Sequence, residues 1–150
     1  MLRYDSKVVA GVFLALLMVV ALGPAARAAT PEGLSAKQVA ALEQRVRERW
    51  QALSDRDYGK AWEYSTPIYR SVFPNDLYVL QFSYAVDREL TEVEVTHYDA
   101  AAAVASVTAR VMSKPLKQTL TASASMGAVP VIVKERWILV DDEWWFSASG

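Results

Sequence analysis

The sequence contains no cysteine and only one histidine in 150 residues. Without cysteine the chain forms no disulfide and supports no thiol chemistry. The common zinc sites need at least two histidine or cysteine ligands, so they are excluded as well. A Ser-His-Asp triad would depend on His97, yet no Gly-x-Ser-x-Gly turn accompanies it. The glycine motifs that hold nucleotides are also missing, so we expect neither a metal nor a cofactor.

The chain also has almost no excess of positive or negative charge. The formal net charge is −1, and acidic and basic residues alternate along the chain. Proteins that bind nucleic acid need a basic patch or stripe to contact phosphates, and this chain has none in its sequence. We expect no nucleic-acid partner.

The first residues have the pattern of an export signal. A short basic start precedes fifteen uncharged residues, Val8–Leu22, and Ala26 and Ala28 then stand at the −3 and −1 positions of a cleavage site. The apolar run is short against the roughly 20 residues that cross a bilayer. We expect a signal peptide at 1–28, cleavage after Ala28, and a single domain at 29–150 that is periplasmic or secreted and has no membrane span. A retained anchor is the alternative.

Helical patterns occupy the first half of this domain. Ser35 is a fitting N-cap for a helix over 36–54, and apolar residues follow at spacings of three and four. They are Val39, Leu42, Val46, Trp50 and Leu53. Asp57 can cap a second helix that reaches Ser65 and that Pro67 stops. A third helix is predicted from Asn75 or Asp76 to Tyr84.

The second half changes to a period of two, which predicts strands. The strand-like runs are 90–96, 101–111, a weaker one at 117–124, and the final hairpin of 131–140 with 144–146. Glu135 falls on the same face of its strand as Val133 and Trp137. Arg110 and Arg136 are expected at the surface. Helices followed by a meander of strands predict an α+β fold with the helices on one face of the sheet.

Four segments resemble the nuclear transport factor 2-like (NTF2-like) superfamily in their order. They are Arg45–Trp62, Ser65–Arg70, Val93–Val107 and Trp137–Trp145, the last with Asp142 where the family commonly has glycine. The resemblance covers nearly all of residues 37–148. It implies a cystatin-like α+β cone, with about three N-terminal helices packed on a curved antiparallel sheet.

This superfamily includes ketosteroid isomerases, dehydratases and SnoaL-like polyketide cyclases, so the resemblance implies a fold more firmly than a function. We expect non-catalytic binding of a small apolar ligand or of an envelope protein partner. The alternative is an enzyme that acts on a small molecule by proton transfer in the cone. Its candidate catalytic residues are His97, Asp87 and Tyr64.

Aromatic residues are the candidates for the walls of a ligand pocket, because large rings with a polar group often lie where a pocket is partly wet. The predicted pocket residues are Trp50, Trp62, Tyr64, Tyr69, Tyr84, Trp137 and Trp145. Four tryptophans are first of all expected in the core or at a dimer interface, and only secondarily as pocket walls: Trp62, Trp137, Trp144 and Trp145. A third interpretation is therefore purely structural, a homodimer formed through the sheet with a filled cone.

Overall fold

The computed structural model describes residues 30–82, 86–115 and 127–148. The helices in these ranges are α1 (Ala36–Ser54), α2 (Tyr58–Trp62), α3 (Pro67–Val72) and α4 (Asn75–Leu80). The strands are β1 (Val86–Asp99), β2 (Val104–Pro115), β3 (Val129–Val140) and β4 (Glu143–Phe146). The predicted α+β class is confirmed.

Two predicted elements lie outside the described residues: the signal peptide at 1–28 and the weak strand at 117–124. The assignment of 29–150 to one domain stays a prediction. No helix within the described ranges is both long and apolar enough to cross a membrane.

Helix α1 begins and ends where its sequence pattern predicts. Ser35 forms a capping box with Gln38: the Gln38 backbone N–H donates to the Ser35 hydroxyl, and the Ser35 N–H donates to the Gln38 side chain. Leu42 and Val46 are fully buried on its apolar face. Burying a side chain of this size contributes about 1.5–3 kcal/mol, so the apolar face anchors α1 to the sheet.

The segment after α2 differs from the prediction. Asp57 caps α2 as expected, by accepting from the Lys60 backbone N–H, but α2 ends at Trp62. Pro67 begins α3 instead of only stopping the preceding helix, and Thr66 is its N-cap. Proline fits the first helical position because its missing N–H has no partner there anyway. The chain therefore makes an additional short helix.

The sheet is an antiparallel meander in the order β1-β2-β3-β4, and it is curved. Strand β1 begins at Val86, earlier than the predicted start at Leu90, and Ala101–Ala103 form the turn before β2 instead of part of a strand. One face of the sheet is buried against the helices. Its buried residues are Val93, Val95, Ala105, Val107, Ala109, Val111, Glu135, Trp137 and Trp144.

The alanines of β2 make room for a large neighbour. Ala105 is fully buried and pairs in register with Trp137 on β3, which is also fully buried. A small residue beside the indole keeps the layer at close packing without strain. This explains why a strand so rich in a weak strand former is stable here.

Strand β1 contains an irregularity that the alternation does not predict. The alternation places His97 on the same face as Val93 and Val95. The register with β2 shifts between Val95 and His97, and Tyr98 is then the residue that packs against the core. His97 is exposed. The extra residue in the bulge changes which side chains face inward, so His97 is an exposed histidine near the strand end and does not share the buried face of Val93 and Val95.

The β3–β4 hairpin turns on two aspartates. Asp141 and Asp142 both have positive φ, at 51° and 61°. Two-residue hairpin turns of type I′ require positive φ at both central positions, and aspartate tolerates it better than most residues. The turn places Trp144 opposite Leu139, with its ring buried against the core.

Candidate functional site

A partly open cavity of about 320 Å³ lies between α1 and the β3–β4 side of the sheet. It is lined by Arg49, Trp50, Leu53, Phe82, Arg88, Val133, Lys134, Glu135, Arg136, Phe146, Ser147 and Ala148. Helix α1 supplies one wall because Arg49, Trp50 and Leu53 follow one another around a single turn. The remaining walls come from β3, from Arg88 on β1, from the end of β4 with the residues after it, and from Phe82.

A buried ion pair crosses this cavity wall. Arg49 Nη1 donates to Glu135 Oε1 over 2.8 Å, and the two side chains are only 7% and 2% exposed. Trp137 Nε1 donates to the other oxygen, Glu135 Oε2, over 2.9 Å. The Phe146 ring lies 3.6 Å from Arg49 Cζ. Both oxygens of the carboxylate thus accept a hydrogen bond, while the guanidinium is held against an aromatic face.

Two further N–H groups belong to residues that line the cavity. Arg49 Nε and Trp50 Nε1 are buried and have no acceptor among the described residues. An unpaired buried N–H costs about 1–3 kcal/mol, which an oxygen acceptor brought close to it recovers. The cavity lining thus combines apolar residues with four cationic ones, Arg49, Arg88, Lys134 and Arg136.

The predicted pocket residues are distributed over several places. Trp50 lines the cavity, whereas Trp137 is fully buried behind it. Trp62 Nε1 donates to the Phe73 carbonyl over 2.9 Å. The remaining three described residues lie elsewhere. Tyr69 lines an apolar groove, and Tyr64 and Trp145 line a third, polar recess. Tyr84 lies outside the described residues.

The three candidate catalytic residues are not brought together. Asp87 is exposed and forms an ion pair with Arg56. His97 lies ten residues further along β1, which corresponds to about 30 Å of strand. Tyr64 donates to Glu48 over 3.3 Å, and burial together with the nearby Glu48 carboxylate raises its pKa. Its phenol is therefore a poorer acid than an exposed tyrosine.

Sequence reasoning missed the central pair, although both halves had a detectable pattern. Arg49 lies three residues after Val46 and four before Leu53, so helical spacing puts it on the buried face of α1. Glu135 stands on the apolar face of β3 by simple alternation. An inward arginine on a helix and an inward glutamate on the opposing sheet together indicate a buried ion pair.

An apolar groove is a larger concavity than this cavity. It measures about 700 Å³ and is lined by Thr66, Pro67, Ile68, Tyr69, Val72, Ile138, Val140, Asp141, Ser147 and Ala148. Ile68 and Val72 are 79% and 76% exposed at its edge. On the outer sheet face, Arg110 and Glu92 form an ion pair of 3.2 Å. Arg136 is exposed, like Arg110, as expected. The protein partner and the homodimer stay predictions.

Among the described residues, no group of three or more His, Asp or Glu side chains could hold a metal ion.

No protein-family model matches the sequence, and no curated protein matches it. Several solved structures are similar in fold to this chain. One is a proposed dehydratase of the NTF2-like family from Streptomyces avermitilis, with a TM-score of 0.52 and 16% identity over 79% of this chain and 95% of that chain. Another is a protein of unknown function with a cystatin-like fold from Nostoc punctiforme, with a TM-score of 0.50 and 9% identity over 75% and 88%. The chain thus has the same kind of α+β fold as these NTF2-like and cystatin-like structures, as the resemblance implied.

Proposed function

We propose that the protein binds a small molecule with an apolar body and an oxygen acceptor in the cavity between α1 and β3. The observation that carries this proposal is the buried Arg49 guanidinium at the cavity wall. One of its nitrogens is held by Glu135, and its Nε has no acceptor among the described residues. A ligand oxygen near this wall adds a charge-assisted hydrogen bond in a setting of low dielectric.

The size and surface of the cavity favour a compact apolar ligand. Leu53, Phe82, Val133 and Phe146 supply apolar wall, and 320 Å³ is at the small end of ligand pockets. At about 30 Å³ for each water-sized group, there is room for about ten such groups. A bicyclic or short-chain molecule fits this volume.

The charges at the site favour an acceptor over a donor on the ligand. Glu135 already accepts from Arg49 and from Trp137, so its oxygens are engaged. Arg88 also lines the cavity and is half-buried. A carboxylate or carbonyl is therefore the polar group that this wall accommodates best.

The test is isothermal titration calorimetry with 2-naphthoate, a small bicycle that carries a carboxylate. Val133→Phe places a larger side chain in the cavity lining and narrows the cavity, and Val131→Phe is the matched control on the same face of β3, outside the cavity lining. We expect at least tenfold weaker binding in Val133→Phe and a change below twofold in Val131→Phe. Equal affinities in the two variants, or no binding of the probe to the wild type up to 1 mM, would overturn the proposal.

A second pair of variants tests the donors. Trp50→Phe removes an indole N–H at the cavity wall, whereas Trp62→Phe removes one that already donates to Phe73. A hydrogen bond to a charged acceptor contributes about 1.5–3 kcal/mol, so we expect about tenfold weaker binding of 2-naphthoate in Trp50→Phe. No loss of affinity relative to Trp62→Phe would show that the indole N–H is not used.

The enzyme alternative has a direct test of its own. Proton transfer in the cone would need His97 or Asp87, which lie at opposite ends of β1 and are both exposed. Dehydration or isomerisation of a small ketone that persists in His97→Ala and in Asp87→Asn would exclude these residues from catalysis. The geometry favours binding without catalysis because neither group lines the cavity.

Export is proposed together with this function, on the leader sequence alone. Cleavage after Ala28 gives a mature N-terminus at Ala29. N-terminal sequencing of the protein from the periplasm or culture medium tests this. A start at Met1 would support the retained anchor instead.

A further inference from the structure

A further concave site lies beside β4, one turn of α1 before Arg49. This Trp145 recess is lined by Arg45, Lys60, Glu63, Tyr64, Arg70, Glu143 and Trp145, and its volume is about 220 Å³. Its three cationic residues come from three different helices: Arg45 from α1, Lys60 from α2 and Arg70 from α3. The fold, and not one local motif, therefore assembles the positive charge.

Aromatic rings hold these cations in place. Arg45 Cζ and Arg70 Cζ lie 5.0 Å and 5.1 Å from the Trp145 ring. Arg45 also lies 4.9 Å from the Tyr64 ring, and Arg70 lies 5.5 Å from the Trp62 ring. These distances are within the range of cation–π attraction, which orients a guanidinium without neutralising its charge.

The carboxylates of the recess neutralise two of the three cations. Glu143 pairs with Arg45 over 2.9 Å, and Glu63 pairs with Lys60. Both acids are about half-exposed, and ion pairs at such positions are weak, so an incoming anion can compete with them. Arg70 forms no ion pair with any described residue, and its buried Nε has no acceptor among them.

We propose that the Trp145 recess binds the oxyanion group of a small soluble molecule, with Arg70 as its main contact and Arg45 and Lys60 as supporting cations. The planar fork of Arg70 suits the geometry of phosphate and carboxylate oxygens. An anion with two negative charges neutralises Arg70 and also forms an ion pair with Arg45 or Lys60. A phosphate group is therefore expected to bind more tightly than a single carboxylate.

The experiment is a titration of the full-length protein with inorganic phosphate and, separately, with acetate, at constant ionic strength. Constant ionic strength removes general screening as a cause of any change. The readout is the NMR shift of the Trp145 indole N–H, assigned by its loss in Trp145→Phe. We expect a saturable shift with phosphate and a dissociation constant at least threefold lower than that for acetate.

Arg70→Gln is compared with Arg56→Gln, which removes the same charge from an exposed arginine outside the recess. We expect at least tenfold weaker phosphate binding in Arg70→Gln and a change below twofold in Arg56→Gln. Equally weakened phosphate binding in both variants would overturn the proposal, because the change in net charge alone would then explain the loss of affinity. A linear, non-saturating shift in the wild type would overturn it as well.

A lipid phosphate is the other source of the same chemistry. Sedimentation with phosphatidylglycerol vesicles separates the two cases. Binding to vesicles that Arg70→Gln abolishes, without a response to inorganic phosphate, would assign the recess to a lipid headgroup and contradict the proposal. Phosphate binding that is unchanged in Val133→Phe would show that the recess is independent of the cavity.

Discussion

Replacing Glu135 with leucine leaves the Arg49 guanidinium buried without its carboxylate. Breaking a buried ion pair by removing one partner costs about 3–5 kcal/mol. Trp137 Nε1 also loses its acceptor, and an orphaned buried N–H costs about 1–3 kcal/mol. We therefore expect Glu135→Leu to lower the free energy of unfolding by at least about 4 kcal/mol, which is a large share of the stability of a typical domain.

The double variant Arg49→Met with Glu135→Leu separates an ion pair from simple packing. Both charges are then gone, and apolar replacement of a buried pair is often neutral or stabilising. The unpaired Trp137 N–H remains, so we expect the double variant to be about 1–3 kcal/mol less stable than the wild type. It should thus be more stable than the single Glu135→Leu variant.

Urea unfolding followed by tryptophan fluorescence measures these differences, with the slope of the free energy against urea checked for each variant. Glu135→Gln serves as a milder variant that folds if leucine does not, because its side chain still offers an acceptor. The reasoning is refuted if Glu135→Leu and Glu135→Gln both remain within 1 kcal/mol of the wild type. It is refuted equally if the losses of stability measured for Arg49→Met alone and for Glu135→Leu alone simply add in the double variant.

Three further predictions concern the caps, the turn and the tyrosines. Ser35→Ala removes the capping hydroxyl of α1 and should cost about 1 kcal/mol in urea unfolding, whereas an unchanged midpoint would contradict the capping box. Asp142→Gly relieves a positive φ of 61° and should stabilise the protein by about 0.5–1 kcal/mol, and a lower melting temperature would contradict this. Burial raises the pKa of Tyr64 above 10, so the unfolded phenol ionises first and stability should fall as pH rises above 10. Melting temperatures between pH 8 and 11 should fall less steeply in Tyr64→Phe, and equal slopes would contradict this account.

The helices and the hairpins were predictable because their patterns are local. Ser35 and Gln38 cap α1, and the spacing of apolar residues fixes its buried face. Pro67 was misread because proline both ends one helix and starts another, and only the capping by Thr66 decides between these roles. Local chemistry thus gives the elements, with errors where one residue can serve two purposes.

The site was less predictable because it depends on contacts between distant segments. Arg49 and Glu135 are 86 residues apart in the chain, and neither shows its partner in the sequence. The bulge in β1 exposes His97, although the alternation of Val93 and Val95 placed it inward. The aromatic candidates likewise separate into the cavity, the core, the apolar groove and the Trp145 recess. Such separation follows from packing, and a single sequence does not determine it.

Native mass spectrometry of the protein isolated under non-denaturing conditions tests the cavity most directly. We predict an additional small mass on the wild type and on Val131→Phe that leaves on denaturation and is missing from Val133→Phe. The same additional mass on all three proteins, or none on the wild type, would contradict the account that the cavity beside Arg49 holds a small ligand.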